Sequence, residues 1–425
     1  MLYIADLHTH SHYAYATSKH LTLETIYQWA QIKGIHLVGT GDFTHPAWFR
    51  EIQEKLEPDG NGFFKLKDPP TTPALPGIKV KHIDVRFCLS TEICTIYNYN
   101  SKSRKNHNLV YAPDLDTVAH INNKLSTLTN LATDGRPTIT ISSRDLFEIV
   151  LESNDQAYLV PAHAWTPWFS TLGSKGGYDS VEECFRDLTP HIFAIETGLS
   201  SDPAMNWRCS KLDQYTMMSS SDAHSPQKLG REANLFNTEL SYEGLFNAVK
   251  TGEGFSGTYE FFPEEGKYSY DGHRKCNICF EPKESIKYNN ICPVCKKSLT
   301  IGVMHRIEKL ADRPQPIKPA KAAAFHYIIP LQEILSEIHQ SGTESKKVMN
   351  AYIDAISQFG NEFTLLKETP IEAIHHFNPQ LAEAIHRMRT GNVIRIPGYD
   401  GIFGMIKLFK QDELQKPLRK QVTLF

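Results

Sequence analysis

The stretch that most constrains the fold of this chain is Asp6-Leu7-His8-Thr9-His10, which ends a short apolar run, Leu2-Tyr3-Ile4-Ala5. With residues 2–7 as a strand, side chains two apart share a face. The imidazoles of His8 and His10 then stand side by side at the strand end. One H-x-H pair is an ordinary surface feature, but the chain repeats the placement. Gly41-Asp42-Phe43-Thr44-His45, Ser90-Thr91-Glu92, Asn106-His107-Asn108, Pro161-Ala162-His163 and Ser220-Ser221-Asp222-Ala223-His224 set further His, Asp and Glu residues at strand ends. A (β/α) barrel gathers its strand C-termini on one face, where ligands distant in sequence can meet.

The order of elements agrees with that class. A helix over 22–33, capped by Thr22 and stopped by Gly34, follows the first strand. Strand 35–40 and helix 47–57 come next, and the Pro- and Gly-rich stretch 58–80 reads as a loop. Strands 85–97 and 107–111 flank a turn over 98–104. Beyond them lie helix 114–130, strand 138–141, a helix capped by Ser143, strand 157–162, helix 180–188, strand 191–196, a short helix near 206–212 and strand 215–219. Six or more such units in succession argue for a parallel barrel. A last barrel helix spans 242–251, and the glycine-rich stretch 252–272 reads as a link to a small module at 273–299. Helical patterns follow at 331–339, 345–358, 370–376 and 379–389.

Within that module Cys276, Cys279, Cys292 and Cys295 form C-x2-C-x12-C-x2-C, a spacing that suits a tetrahedral structural zinc ion. Cys88, Cys94, Cys184 and Cys209 are scattered and read as buried free thiols. No apolar run reaches the roughly 18–20 residues needed to cross a bilayer, and no signal segment leads the chain, so a cytoplasmic, nucleoid-associated protein is expected. Charge is divided unevenly. Residues 266–425 hold 23 Lys/Arg and 16 Asp/Glu, a net of +7, which leaves −10 for residues 1–265 within the overall −3. An acidic body with a basic appendage suits metal-assisted chemistry on a polyanion, although ordinary surface composition can look the same.

The ordered signatures D-L-H-x-H-S, G-D-x-x-H, a lone Glu, a His, A-H and S-D-A-H resemble the PHP superfamily of metal-dependent phosphoesterases. The resemblance is closer to endonuclease Q, a DNA-repair nuclease. It rests on Thr17-Ser18-Lys19, residues 39–46 (GTGDFTHP), residues 165–170 (WTPWFS), residues 196–202 (ETGLSSD), the ribbon spacing and the helical tail. The resemblance implies an α/β chain with a distorted (β/α)7 PHP barrel over 1–262, a zinc ribbon over 263–300, a helical DNA-binding domain over 301–420 and a tail over 421–425. It implies that His8, His10, Glu92 and Asp222 hold one metal. Glu92 would bridge to a second, held also by His107 and His163, and His45 and His224, with Asp42, would hold a third. Two or three divalent ions, zinc, manganese or magnesium, would then serve catalysis, with Glu92, Asp222 and His163 at its center. Around the third ion the sequence departs from the superfamily pattern, because Phe43-Thr44 separates Asp42 from His45. Another ligand of that ion often comes from the loop after H-x-H, where both His12 and His20 lie, and the sequence does not choose between them.

Substrate contacts are expected from Trp165, Trp168, Phe169 and Lys175 in an aromatic, glycine-rich loop, and from Lys275, Lys296 and Lys297 beside the knuckles. The alternative for the tryptophans is that they cap the barrel core, and for the lysines that they are a solvated surface. By resemblance, the chain nicks DNA on the 5′ side of uracil, hypoxanthine, xanthine or an abasic site. The other readings are a small-molecule phosphatase of the histidinol-phosphatase type and a non-catalytic DNA-binding module. The end, Gln421-Val422-Thr423-Leu424-Phe425, resembles a Gln-x-x-Leu-Phe sliding-clamp peptide, with Gln421, Leu424 and Phe425 as its contacts.

Overall fold

A computed structural model describes residues 2–414. The clamp-like segment 421–425 lies outside the described residues. The fold is mixed α/β around a central sheet. Strand Leu2–Asp6 pairs in parallel with Leu37–Gly39, placing Ala5 opposite Leu37, and Leu37–Gly39 pairs in parallel with Arg86–Tyr99. Tyr3, Ile4 and Ala5 are buried on both faces of the first strand, as a strand covered on both sides requires. Ala194–Glu196 and Thr216–Met218 pair in parallel as a separate two-stranded sheet, and single backbone contacts link the ends of the neighboring segments. The N–H of Ala164 donates to the Glu196 carbonyl, that of Thr197 to Met218, and that of His10 to Ala223. The ends of these strands therefore converge on one side of the sheet.

Helix Leu23–Lys33 forms as its sequence dictates. Thr22 caps it in a reciprocal capping box with Thr25, Ile26, Trp29 and Ala30 face inward, and Gly34 ends it at φ 90°. A Cβ at Gly34 would also press on the side-chain amide of Asn361, which would have to shift. The helical segments of the tail run Leu331–His339, Lys346–Phe359, Ile371–Phe377 and Pro379–Thr390, close to the spacing-based ranges. The helix after residue 142 is capped by Ser142, whose hydroxyl accepts from the Asp145 N–H, and not by Ser143.

Three departures from the expected alternation shape the site. Arg86–Tyr99 and Lys102–Ala112 form one long antiparallel hairpin, turned at Asn100 and Ser101, both at positive φ. The stretch 58–80 is not loop throughout, since Leu56–Pro58 and Phe64–Leu66 pair as a short hairpin. The stretch read as a link contains strand Phe255–Glu260, which pairs with Ala233–Asn237 on one side and with Ala324–Tyr327 on the other. Gly257, at φ 140°, permits this, because a Cβ there would collide with the Ala324 carbonyl. Glycines that admit a neighboring strand look like a linker in sequence. Residues 301–329 thus return to the sheet before the helical tail begins. No helix among the described residues is long and apolar enough to cross a membrane.

The tail docks on the sheet-side helix through a buried ion pair. Lys33 Nζ lies 2.7 Å from Glu362 Oε2, both side chains almost fully buried. The Tyr352 hydroxyl and the Leu331 N–H donate to the same carboxylate. Breaking a buried pair leaves an uncompensated charge, which costs about 3–5 kcal/mol. Lys33→Met should therefore lower the unfolding free energy by about that amount in urea titration. A loss under about 1 kcal/mol would show that Glu362 does not depend on Lys33.

Candidate metal centre

His8 and His10 extend beyond strand Leu2–Asp6, held in place by a parallel bridge from Thr9 to Ala223. Both rings are buried, with centroids 5.5 Å apart. Asp222 follows strand Thr216–Met218, and Glu92 lies within Arg86–Tyr99. The antiparallel hairpin sets His107 opposite Cys94, on the strand next to Glu92. His163 follows Tyr158–Pro161. Asp42, His163 and Asp222 all take positive φ, at 48°, 28° and 47°. Such backbone strain costs on the order of 1 kcal/mol per residue and persists where surrounding structure enforces it, commonly at functional sites.

Two donor groups result. His8, His10, Glu92 and Asp222 offer ligand atoms all within 4.8 Å of one another, as do Glu92, His107 and His163. Glu92 belongs to both. Its Oε2 lies 3.4 Å from His10 Nε2 and 3.7 Å from His8 Nε2, while its Oε1 lies 2.6 Å from His107 Nδ1 and 3.0 Å from His163 Nε2. Asp222 Oδ1 sits 3.0 Å from His10 Nε2 and 3.5 Å from His8 Nε2. The His8 Nε2 atom is buried and has no hydrogen-bond partner. An orphaned imidazole nitrogen facing carboxylate oxygens fits a divalent cation placed among them.

A second set of residues fixes these rings. Glu196 spans His8 Nδ1, at 3.0 and 3.1 Å, and accepts from the His163 N–H. Asp42 Oδ1 lies 3.0 Å from His10 Nδ1, and its other oxygen accepts from the N–H and hydroxyl of Ser11. Thr166 Oγ1 lies 3.0 Å from His163 Nδ1. Carboxylates behind metal-facing imidazoles set the tautomer and ring orientation. The sequence reading missed Glu196 in this role, although it stands at a strand end within the motif ETGLSSD. It also missed Arg136, whose Nη1 donates to Glu92 Oε2 at 3.1 Å.

The charge states follow from this packing. Burial alone would lower His10, but Asp42 and Asp222 on its two sides push it up to about 10. Burial opposes the charged form of His8 as well, and Glu196 and Asp222 outweigh it. Burial would raise Glu92, yet His107, His163 and His8 hold it well below the usual carboxylate range. His107 goes the other way: burial outweighs Glu92 and lowers it to about 4.

The expected third ion site is not gathered into one three-donor group among the described residues. Asp42 is engaged by His10 and Ser11. His45 stacks on Tyr13 at 4.3 Å, with Nε2 3.3 Å from the Ala132 carbonyl. His224 turns Nδ1 toward the Asp222 carbonyl, its ring 4.7 Å from that of His10. His12 Nδ1 lies 3.1 Å from the Leu21 carbonyl, and His20 is exposed.

In the ribbon the grouped donors are His273, Cys276, Cys292 and Cys295, and Cys279 stands outside them. Strand pairing supplies the reason. Asp271–His273 pairs antiparallel with Ile278–Phe280, setting Cys279 opposite Gly272 and His273 opposite Ile278. Directly paired residues share a face, so Cys279 and His273 point to opposite faces. The His273 ring nitrogens lie 3.8 and 3.9 Å from Cys295 Sγ. His273-Arg274-Lys275-Cys276 carries the same two-residue spacing as the cysteine pair and was the signal available in the sequence.

A cavity of about 370 Å³ opens beside the two donor groups. His107, His163 and Asp222 line its floor, and Trp168, Phe169 and Tyr268 are among its walls. Trp168 is 39% exposed and meets Tyr268 edge-on, at 4.9 Å and 71°. Phe169 lies 5.0 Å from His107. Trp165, expected to touch substrate, is instead buried, and its indole N–H donates to Asn206 Oδ1 at 2.7 Å, so it is a core residue. Lys175, Lys275, Lys296 and Lys297 are all exposed.

Two expectations follow for cation binding. Asp42→Asn removes the charge behind His10 and should weaken cation binding about 10- to 100-fold, measured by competition with a chelating dye. Cations must also displace protons held by His8 and His10, whose raised values keep them charged at neutral pH. Calorimetry in buffers of different ionization enthalpy should show proton release, and affinity should fall as pH is lowered. Binding without proton release would mean that these imidazoles are not the ligands.

Residues 330–392 match the family described as the MJ0043 C-terminal domain. A protein of Methanocaldococcus jannaschii, the uncharacterized protein MJ0043, is 31% identical over 270 residues, covering 62% of this chain and 33% of that protein. The chain thus spans about a third of that relative's length. The uncharacterized protein YqxK of Bacillus subtilis is 28% identical over 422 residues, covering 95% and 98%. Among solved structures, the lesion-specific endonuclease PfuEndoQ from Pyrococcus furiosus is 30% identical and covers 98% of both chains, with a TM-score of 0.84. An endonuclease Q in complex with a 27-mer duplex, an abasic lesion at its active site, is 29% identical with the same TM-score and covers 99% and 100%. Agreement of this kind over nearly the whole length of both chains shows that the chain belongs to the endonuclease Q family.

Proposed function

We propose that this chain is a lesion-specific DNA endonuclease. It would hydrolyze the phosphodiester on the 5′ side of an abasic site or of a deaminated base such as uracil, hypoxanthine or xanthine. The observation that carries the reading is the pair of donor groups joined through Glu92, opening directly into a cavity of about 370 Å³ with aromatic walls. A nucleoside can enter a space of that size only after leaving the base stack. A damaged pair costs less to open than an intact one, which contributes to selectivity.

Divalent ions held by His8, His10, Glu92, Asp222, His107 and His163 would supply Lewis-acid charge to the phosphate and acidify the attacking water. The chain's own residues do the rest. Glu196, Asp42 and Thr166 hold the imidazoles in register. Arg136 borders the cavity beside Glu92, where a fixed guanidinium charge can meet a phosphate oxygen. Trp168, Phe169 and Tyr268 offer rings for an extruded base. The abasic duplex at the active site of the related complex supports the DNA substrate.

The test is nicking of duplexes that each carry a single altered base, compared with an undamaged duplex and with a phosphomonoester. Asp222→Asn is nearly isosteric and should abolish nicking while leaving duplex binding largely intact. Binding should also weaken with salt along a log–log slope of about −0.9 per phosphate neutralized. Nicking by Asp222→Asn at the wild-type rate, or turnover of the phosphomonoester alone, would overturn the reading.

A further inference from the structure

Helix Val303–Leu310 follows the ribbon and touches both walls of the cavity. On one side, Arg306 is 7% exposed and reaches into the loop that carries Trp168 and Phe169. Its Nε donates to the Leu172 carbonyl at 2.8 Å, and its Nη2 donates to the Tyr178 carbonyl and to Asp179 Oδ1, both at 2.7 Å. A planar guanidinium makes three such bonds in one geometry, which an ammonium cannot. On the other side, the first N–H groups of the helix lack partners within it. Those of Val303 and Met304 donate to the carbonyls of Tyr268 and Ser269, at 2.8 and 3.1 Å. Both of those residues line the cavity, as Val303 does. The loop that carries Trp168 and the backbone at Tyr268, whose rings are in edge contact, are thus both bonded to a single helix.

That helix is in turn anchored to the ribbon. Asp271, fully buried, accepts from the Gly302 N–H at 2.7 Å, and its other oxygen lies 2.6 Å from His305 Nδ1. Gly302 must be glycine, because a Cβ would lie 2.5 Å from the Tyr270 carbonyl. Asp271 is two residues from His273, which joins the ribbon's grouped donors. The path from ribbon to cavity consists of hydrogen bonds that are buried or part-buried at every step.

We propose that Arg306 is a positioning residue for substrate reading, and that through its helix the ribbon sets where the aromatic wall formed by Trp168 and Tyr268 stands. The proposal rests on the endonuclease reading for its substrate, but the coupling itself does not. Without Arg306, two buried carbonyls lose their donor and the aromatic wall loses its anchor. Arg306 itself touches none of the donors around Glu92, so the loss falls chiefly on base placement and not on metal content.

The experiment compares Arg306→Ala, Arg306→Lys and Arg389→Ala in the full chain. Arg389 is the control, an arginine that donates to the Leu365 and Leu366 carbonyls within the helical tail and borders no part of the cavity. For Arg306→Ala, KM on a duplex with one abasic site should rise about tenfold, with kcat within about twofold and metal content unchanged. Arg306→Lys should recover part of the loss, and Arg389→Ala should leave KM unchanged even where its Tm falls as far. Hydrogen exchange should show residues 170–179 losing protection in Arg306→Ala but not in Arg389→Ala. An unchanged KM, or an equal rise in Arg389→Ala at equal Tm, would overturn the positioning role. If the wild-type chain does not nick, the endonuclease reading fails, and the exchange measurement still decides the coupling.

Discussion

Everything at the center depends on one carboxylate shared between two sets of imidazoles. Glu92 is buried, and an isolated buried carboxylate is among the costliest groups a protein can hold. Here its two oxygens face opposite ways, one toward His8 and His10 and the other toward His107 and His163. Protons supply the compensating charge when cations do not. A cation entering the site therefore exchanges with those protons. Asp222, Glu196 and Asp42 extend the same logic outward, each carboxylate set against an imidazole.

Such a center can form only where strands end close together, and the departure from plain β/α alternation serves that need. The long hairpin over residues 86–112 places Glu92 and His107 on adjacent strands of one sheet, where pairing register fixes their separation. A helical crossover between them would have left that distance to the packing of a whole unit. The positive φ of Asp42, His163 and Asp222 turns each side chain inward where a relaxed strand end would carry it past. The strain is local, and the sheet beneath sustains it.

The legible parts of the chain were those whose signals are local. Thr22 and Gly34 bound one helix, the tail's periodicity gave four helices within a residue or two, and the ligand motifs named six of the residues that meet around Glu92. What escaped needed partners far away in sequence. Strand Phe255–Glu260 resembled a linker because it lies in a glycine-rich stretch, where Gly257 makes room for Ala324–Tyr327. Cys279 fitted the knuckle spacing, whereas the donors that lie together are His273, Cys276, Cys292 and Cys295. Glu196 stood at a strand end within a motif, but its role behind His8, like that of Arg136 beside Glu92, exists only once the strands are in place. Trp165 could have faced substrate or core, and only the Asn206 hydrogen bond places it in the core.

The parallel pairing of Phe255–Glu260 with Ala324–Tyr327 has a topological consequence. Parallel neighbors need a connection that passes from one end of the pair back to the other, usually a helix of a dozen residues or so. In this chain the whole ribbon, together with helix Val303–Leu310, is that crossover. The module is an inset in a β–x–β unit, tethered at both ends to adjacent strands, and not an appendage on a flexible stalk. It cannot be trimmed off by shortening the chain without also removing an edge strand of the sheet. A deletion that keeps the sheet would have to bridge residues 260 and 324 with a substitute crossover.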